Sequence, residues 1–376
     1  MKVLIYGGSF DPVHKGHFAL LKAAVAHLNP DKTHIFTAYQ SPFKDTSAVP
    51  FKVRQSLAKT VLSPISPNII FDDFEQKAAR ITYTWQTIEH IKKLYPNAKI
   101  YLLIGTDCLN SIHTWKNAEY IFDNATIVAG KREGFKFETK SFNFMLLDGV
   151  FPLISSTNIR LAILSNGLIP NNLPQAAATY IEENLMYGLK IHKWLYANLK
   201  PNRYLHVKLV AQAAVELAKY YSVNQEASAL AAILHDSAKA MDDAHLIKYA
   251  KEHKLKIEDF DIISKNSPSL LHAPVSAALA SELFEVKDKE ILAAISSHTL
   301  GAPNMSALAK ILFIADMASK DRRYQDAKRV QEAATLSLDE GVLAAMAIKL
   351  NFTIETRKWL APSGIKLWNE ILSKHN

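Results

Sequence analysis

Residues 7–17 read Gly-Gly-Ser-Phe-Asp-Pro-Val-His-Lys-Gly-His and directly follow a compact apolar run, Lys2–Tyr6 (KVLIY). The run has the length and composition of a buried strand, and His17–Leu28 (HFALLKAAVAHL) carries apolar residues on a helical period. The string between them is therefore a strand-to-helix connection. Gly7 and Gly8 read as a tight turn, so that Gly7, Gly8, Ser9 and Phe10 bring backbone N–H groups toward a polyphosphate, and the new helix N-terminus favours an anion. His14 and His17, three residues apart at the helix start, share a face. Imidazoles there can donate to phosphate oxygens where charge builds in a transition state. The closing Gly-Lys-Ser/Thr of a Walker A loop is absent. So is the Gly-x-Gly-x-x-Gly of dinucleotide-binding turns.

Outward from this string the same alternation continues. His34–Tyr39, Asn68–Phe71, Ile100–Ile104 and Ala125–Ala129 read as strands, and Phe51–Leu62, Thr84–Leu94 and Trp115–Ile121 as helices. Strand and helix in turn predict a parallel sheet wrapped by helices, a Rossmann-like α/β domain. From about Tyr204 the texture changes. Val207–Tyr221, Ala227–Ala240, Pro274–Phe284, Lys289–His298, Ala307–Met317 and Asp339–Leu350 are Ala/Leu-rich helical segments, which predict an all-α bundle. The change-over falls in Gly188–Asn202, giving an α/β domain over 1–190 and a helical domain over 191–376. No internal repeat is visible.

The 376 residues, 49% of them hydrophobic and 21% charged, suffice for two cores, as the length alone suggests. One cysteine, Cys108, cannot form an internal disulfide and points to a reducing compartment. No export signal opens the chain and no apolar run approaches the ~20 residues of a membrane helix, so the expectation is a soluble, cytoplasmic protein with no membrane partner. The net charge of +8 could serve nucleic acid, but the lysines are dispersed rather than gathered in a tract. Phosphorylated small molecules account for basic clefts without a polymer, and no nucleic-acid partner is expected.

Several further strings carry a resemblance. Ser41–Lys44 (SPFK), Arg54, Thr82–Ile88 (TYTWQTI), Ile104–Trp115 (IGTDCLNSIHTW), Ile154–Arg160 (ISSTNIR) and Leu173–Tyr187 accompany the glycine–histidine string. Ser155, Ser156 and Thr157 suit a helix N-cap aimed at phosphate, with Arg160 one turn on. Together these resemble the bacterial nicotinate-nucleotide adenylyltransferases (the NadD family), nucleotidyltransferases with an HxGH motif. Phe43 stands where the family usually has His, and Gln86 where it has Asp. The resemblance implies transfer of AMP from Mg²⁺-ATP to nicotinate mononucleotide, with His14, His17, Lys44 and Arg160 stabilising the transferred phosphate. Thr84, Gly105 and Asp107 would lie near the nucleotides and Trp115 would stack on the pyridine. Nicotinamide mononucleotide is the alternative acceptor.

In the second half His235–Asp236 sits in an otherwise apolar segment, where a buried carboxylate needs compensation. A metal supplies it economically. His206, His272, His298 and Asp316 lie on or at the ends of other predicted helices, and side chains converging from several helices build metal sites in bundles. The strings NRYLHV, AAILHDSAK, LLHAPV and SHTLGAPNMSALAKILFIADM resemble HD-domain phosphohydrolases. They resemble specifically the YqeK-like branch, which acts as symmetrical diadenosine tetraphosphate hydrolases. The six ligand candidates suit two divalent metals bridged by Asp236, iron or manganese by ligand type. Lys239, one turn after His235, faces the same pocket and can bind a phosphate of a dinucleoside polyphosphate. The competing reading makes the helical domain a nucleotide sensor without turnover.

Overall fold

The computed structural model describes residues 1–40, 49–132, 142 and 144–375, without the side chains at 106, 107, 132, 150, 374 and 375. In chain order the first half contains β1 (Lys2–Gly8), α1 (Lys15–Leu28), β2 (Lys32–Thr37), α2 (Phe51–Leu62), β3 (Ile69–Asp72), α3 (Phe74–Ala78) and α4 (Thr84–Leu94). It continues with β4 (Lys99–Gly105), α5 (Thr106–Ser111), α6 (Ala118–Asn124), β5 (Thr126–Arg132), β6 (Phe144–Phe151), α7 (Ser156–Asn166) and α8 (Gln175–Glu183). Then follow α9 (Leu189–Asn198), α10 (Pro201–Tyr220), α11 (Gln225–Leu234), α12 (Asp243–Glu252), α13 (Phe260–Asn266) and α14 (His272–Phe284). The last are α15 (Lys289–Ser297), α16 (Ala307–Ala318), α17 (Tyr324–Leu336), α18 (Leu338–Glu355) and α19 (Pro362–His375). Two units emerge: Met1–Arg160 with Ile169–Tyr187, and Leu161–Leu168 with Gly188–Asn376.

In the first unit the described strands form one six-stranded sheet in the order β3-β2-β1-β4-β5-β6, and every neighbouring pair is parallel. Helices cover both faces of such a sheet, so its strands are buried on both sides. Val3 to Tyr6 accordingly form an unbroken buried run. The order turns back at β1 and β4, and the crevice outside the carboxyl ends of strands at such a reversal is where open α/β sheets bind ligands. Helix α1 lies close on the sheet because Gly130 of β5 has no side chain: a Cβ there would meet Leu20 and stand 2.8 Å from the Phe151 ring.

The second unit is all helix, as the Ala/Leu texture predicts. Ala211, Ala214, Ala231, Ala232 and Ala294, all buried, line the cluster where α10, α11 and α15 meet α16. Small side chains let these helices approach closely, which brings polar residues at their ends together. Among the described residues no helix is long and apolar enough to cross a membrane.

Several sequence expectations are corrected. Gly7 and Gly8 are not a turn: β1 runs through Gly8, with Gly7 paired to Phe36 and Gly8 to Thr37. The chain reverses instead at Phe10, whose φ is +47°. The segment Ala227–Ala240 is not one helix, because α11 stops at Leu234. Trp115 caps a short 3-10 turn and α6 starts at Ala118, not at Trp115.

Candidate active sites

In the first unit the loops carrying the glycine–histidine string, Gly105 and the serine motif all leave the carboxyl ends of strands: β1 into α1, β4 into α5, β6 into α7. His14 is the N-cap of α1 and forms a reciprocal capping box with His17. The backbone N–H of His14 donates to His17 Nδ1 at 3.2 Å, and that of His17 to His14 Nδ1 at 3.3 Å. The rings stack with centroids 3.6 Å apart. Both Nδ1 atoms are thus acceptors, so in the neutral rings the proton sits on Nε2, which becomes a donor. This pair caps the helix in place of the usual Ser or Asp, and no acidic residue occupies the first turn of α1. The positive end of the helix dipole is therefore left for an anion.

The loop between β1 and α1 is held from several sides. Phe10 is buried, packs edge-on against His17 with centroids 5.1 Å apart, and its ring would lie 3.0 Å from a Cβ on Gly8. Gly8 therefore serves to admit the ring. Arg54 is buried and donates Nε to Val49 O at 2.9 Å, Nη1 to Ser9 O at 2.7 Å and Nη2 to Tyr39 O at 3.3 Å. Arg160 donates Nη1 to Asp11 O at 2.6 Å and Nη2 to Thr157 Oγ1 at 3.4 Å. Tyr187 donates its hydroxyl to Asp11 Oδ1 at 2.8 Å, and Ser156 donates Oγ to Pro12 O at 3.0 Å. Ser155 accepts the first helical bond of α7, from Ile159 N, so Ser155 is the cap and Ser156 the first helical residue. Ser156 and Arg160 thus hold the histidine loop. Sequence reasoning assigned them to phosphate alone and missed Asp11 and Tyr187.

Of the residues assigned to the pyridine nucleotide, Gly105 ends β4 and caps α5. Thr84 opens α4 behind a Tyr83–Gln86 capping box, in which Tyr83 N donates to Gln86 Oε1 at 3.0 Å. Gln86, the departure noted above, thus anchors that helix start. Trp115 is half-buried against the sheet cluster containing Ile104, Leu109 and Ile112. Lys44, Phe43 and the side chain of Asp107 lie outside the described residues.

In the second unit the six scattered candidates converge. His206 lies within α10; His235 and Asp236 follow α11; His272 opens α14; His298 follows α15; Asp316 is in α16. Asp236 stands at the centre. Its Oδ2 is 3.5 Å from His235 Nε2 and 4.0 Å from His206 Nε2. Its Oδ1 is 3.2 Å from His272 Nε2 and 3.6 Å from His298 Nε2. Asp316 Oδ1 is 3.2 Å from His206 Nε2. Two groups of ligand atoms lie within 4.8 Å of one another: His206, His235 and Asp316, and His235, Asp236 and His298.

The imidazoles are oriented for this. His235 donates Nδ1–H to Ala232 O at 2.6 Å, His272 to Ser269 O at 2.6 Å and His298 to Ile295 O at 2.7 Å. His206 Nδ1 is 2.7 Å from Asp321 Oδ2. With each Nδ1 spent, the lone pair is on Nε2, and the four Nε2 atoms face the two carboxylates. His235 Nε2 is buried without a hydrogen-bond partner, the kind of polar atom that a native interior seldom leaves unexplained. Burial pushes His235 down to about 4, so its ring is neutral near pH 7. Burial alone would raise Asp236, but His235, His272 and His298 hold it well below the usual carboxylate range. Burial lowers His298 as well, while burial of His206 is outweighed by Asp316 and Asp321, which raise it. Neutral imidazoles and ionised carboxylates are the forms that ligate cations, and a cation releases such a proton on binding, so the donor set fits divalent metal.

Around this centre lies a cavity of about 880 Å³, within the range of small-molecule sites. Arg203 donates to Asp236 Oδ2 at 2.7 Å, and Arg322 bonds Asp316 through both its carbonyl and its carboxylate. Lys349 donates to His298 O at 3.0 Å and stands 3.5 Å from Asp316 Oδ2. Lys239 lines the cavity with Nζ 3.1 Å from His272 Nδ1. Phe352, Lys358 and Trp359 form part of its far wall. Sequence reasoning found Lys239 but missed Arg203, Arg322 and Lys349. Arg203, one turn before His206, was the most accessible of these from spacing alone.

The fold and these two centres define a nucleotide-transferring α/β domain followed by an HD domain, and comparison gives the same pair. Residues 5–162 match the Cytidylyltransferase-like family and residues 203–320 the HD domain. A probable nicotinate-nucleotide adenylyltransferase/Ap4A hydrolase of Mycoplasma genitalium is 29% identical over 327 residues, covering 86% of this chain and 89% of that protein. A probable nicotinate-nucleotide adenylyltransferase of Clostridium tetani is 32% identical, over 50% of this chain and 98% of its own length. A symmetrical bis(5′-nucleosyl)-tetraphosphatase of Halalkalibacterium halodurans is 32% identical, over 46% of this chain and 91% of its own. The chain belongs to the nicotinate-nucleotide adenylyltransferase family through its first half and to the symmetrical bis(5′-nucleosyl)-tetraphosphatase family through its second.

Proposed function

We propose that the chain is a cytoplasmic bifunctional enzyme. Its first domain transfers AMP from ATP to nicotinate mononucleotide, giving deamido-NAD and pyrophosphate. Its second cleaves diadenosine tetraphosphate with water into two ADP. The reading rests on family membership together with one observation: Asp236 presents its two oxygens to two different pairs of imidazoles.

In the transferase a 5′-phosphate oxygen of the mononucleotide forms a bond to the α-phosphorus of ATP while the bond to the bridging oxygen breaks and pyrophosphate leaves. The residues do little covalent work; they align reactants and stabilise charge. The Nε2–H donors of His14 and His17, set by the capping box, meet the α-phosphate as its charge redistributes. The open N-terminus of α1 adds to that field. Arg160, braced on Asp11, fixes the loop in which both histidines sit. Mg²⁺ would be held largely by the triphosphate and add positive charge there, and the family resemblance assigns Thr84, Gly105, Asp107 and Trp115 to the acceptor.

In the hydrolase His206, His235, Asp316 and Asp236 would hold one divalent cation and Asp236, His272 and His298 a second, with iron or manganese suited to that donor set. Such a pair supplies an activated water and a clamp on phosphate oxygens. Arg203, Lys239 and Arg322, at the cavity wall, neutralise the polyphosphate and hold it in line, and Lys349 fixes Asp316 and the turn at His298. Phe352 and Trp359, aromatic residues of the same cavity lining, would pack against an adenine.

One preparation assayed with both mononucleotides and with diadenosine tetraphosphate tests the proposal. ATP plus nicotinate mononucleotide should release pyrophosphate faster than ATP plus the amide, and the tetraphosphate should give two ADP. His17→Ala should lower pyrophosphate release by about 10²–10³-fold, the usual cost of one transition-state donor, and leave the hydrolase intact. Unaltered pyrophosphate release in that variant would overturn the assignment of the loop.

A further inference from the structure

The four imidazoles around Asp236 are not oriented alike. His235, His272 and His298 each donate Nδ1–H to the carbonyl three residues earlier in their own chain segment. This is possible because each is the C-cap of the helix or 3-10 turn before it, where the last carbonyls lack the regular α-helical partner. His206 cannot do the same. It lies inside α10, which runs Pro201–Tyr220, where the carbonyls three and four residues back belong to the helix ladder. Its Nδ1 is instead engaged by a carboxylate 115 residues distant, Asp321 Oδ2, at 2.7 Å.

Asp321 is itself fixed. Ser319, fully buried, donates Oγ to Asp321 Oδ1 at 2.7 Å and caps the end of α16. The six-residue segment Asp316–Asp321 therefore grips both nitrogens of one ring: Asp316 Oδ1 stands 3.2 Å from Nε2 and Asp321 Oδ2 2.7 Å from Nδ1. A carboxylate on Nδ1–H orients an imidazole and makes its other nitrogen a stronger donor than a carbonyl does. The two groups also differ in charge. His206 and His235 lie in one ligand group with Asp316 and also approach Asp236, whereas the carboxylate that His272 and His298 approach directly is Asp236.

We infer that Asp321 is a positioning residue which makes the two cation positions unequal: it strengthens the one built on His206, so that this position fills first and the one built on His272 and His298 fills second. This rests on the two-metal reading above and adds to it an order of loading and the residue responsible.

The test uses the full-length protein, stripped of metal and titrated with Mn²⁺ while free Mn²⁺ is followed by electron paramagnetic resonance. Wild type should bind two ions with separable affinities. Asp321→Ala should weaken the tighter step by about 10–100-fold and leave the weaker step in place. Asp321→Asn, which can still accept from Nδ1–H but carries no charge, should fall between. Asp326→Asn, at the same cavity wall, controls for general loss of negative charge, and circular dichroism confirms that each variant is folded. Two ions bound by wild type, with the same affinities in folded Asp321→Ala or with both weakened equally, would overturn the role of Asp321 and spare the two-metal reading. A wild-type protein that binds fewer than two ions would overturn both.

Discussion

Arg54 heads the largest fully buried side chains, and what surrounds it shows how one residue holds a loop and loads its neighbour. Its three bonds to Ser9, Tyr39 and Val49 carbonyls knit α2 to the phosphate loop and to the chain that precedes the helix. Glu75, also buried, accepts from Tyr39 N at 3.2 Å. Burial pushes Glu75 up to about 7 against the opposing pull of that N–H and of Arg54. With an unfolded value near 4.5, the folded protein holds the extra proton between about pH 4.5 and 7. Stability therefore falls as pH rises through that window and stays low above it. Glu75→Gln removes the dependence. Its stability, measured by melting, should match wild type near pH 4 and exceed it by about 1–3 kcal/mol at pH 8. An advantage equal at both pH values would mean that folding does not raise Glu75. None of this was visible in the sequence, where Arg54 read as one family residue among several. A string does not show which way a side chain turns.

At the scale of elements, what could be read was what periodicity encodes. Five strands with dense apolar cores, such as Ile100–Ile104, were legible, as were the Ala-rich helices. Strand β6 was not, because Asp148 and Gly149, the latter with φ +101°, interrupt its pattern. Helix α17 was missed because only Ala327, Val330 and Ala334 of its residues are buried, too few for an apolar stripe. The fit of α1 onto the sheet depends on a single missing side chain. Gly130→Ala should push Leu20 and Phe151 aside and cost about 1–3 kcal/mol, as overpacking does. Since α1 carries both histidines, pyrophosphate release should fall with it. Thermal unfolding and the pyrophosphate assay on the same variant check both, and unchanged melting would show that the contact is slack.

For the whole molecule, two chemistries on one chain make a separable pair. The order of His206, His235, Asp236, His272, His298 and Asp316 along the sequence was enough to suggest a centre. The division of labour between the two oxygens of Asp236 was not, since it is fixed by how three helix ends meet the middle of α10. Asp236→Ala should therefore reduce bound metal from about two per chain, bring tetraphosphate hydrolysis to background, and leave pyrophosphate release from ATP and nicotinate mononucleotide near wild type. Metal analysis and the two assays on one sample decide this. Full metal content in the variant would remove Asp236 from the centre.

Because every described strand of the sheet points the same way, one rim of it carries the histidine string, Gly105 and the serine motif, and the opposite rim carries none of these. The turn at Tyr95–Ala98 belongs to that second rim, leading into β4, and Asn97 on it is exposed. A fluorescent reporter or an affinity handle grafted at Asn97 would sit a full strand length from the histidines, a convenient place to watch or to tether the transferase without disturbing it.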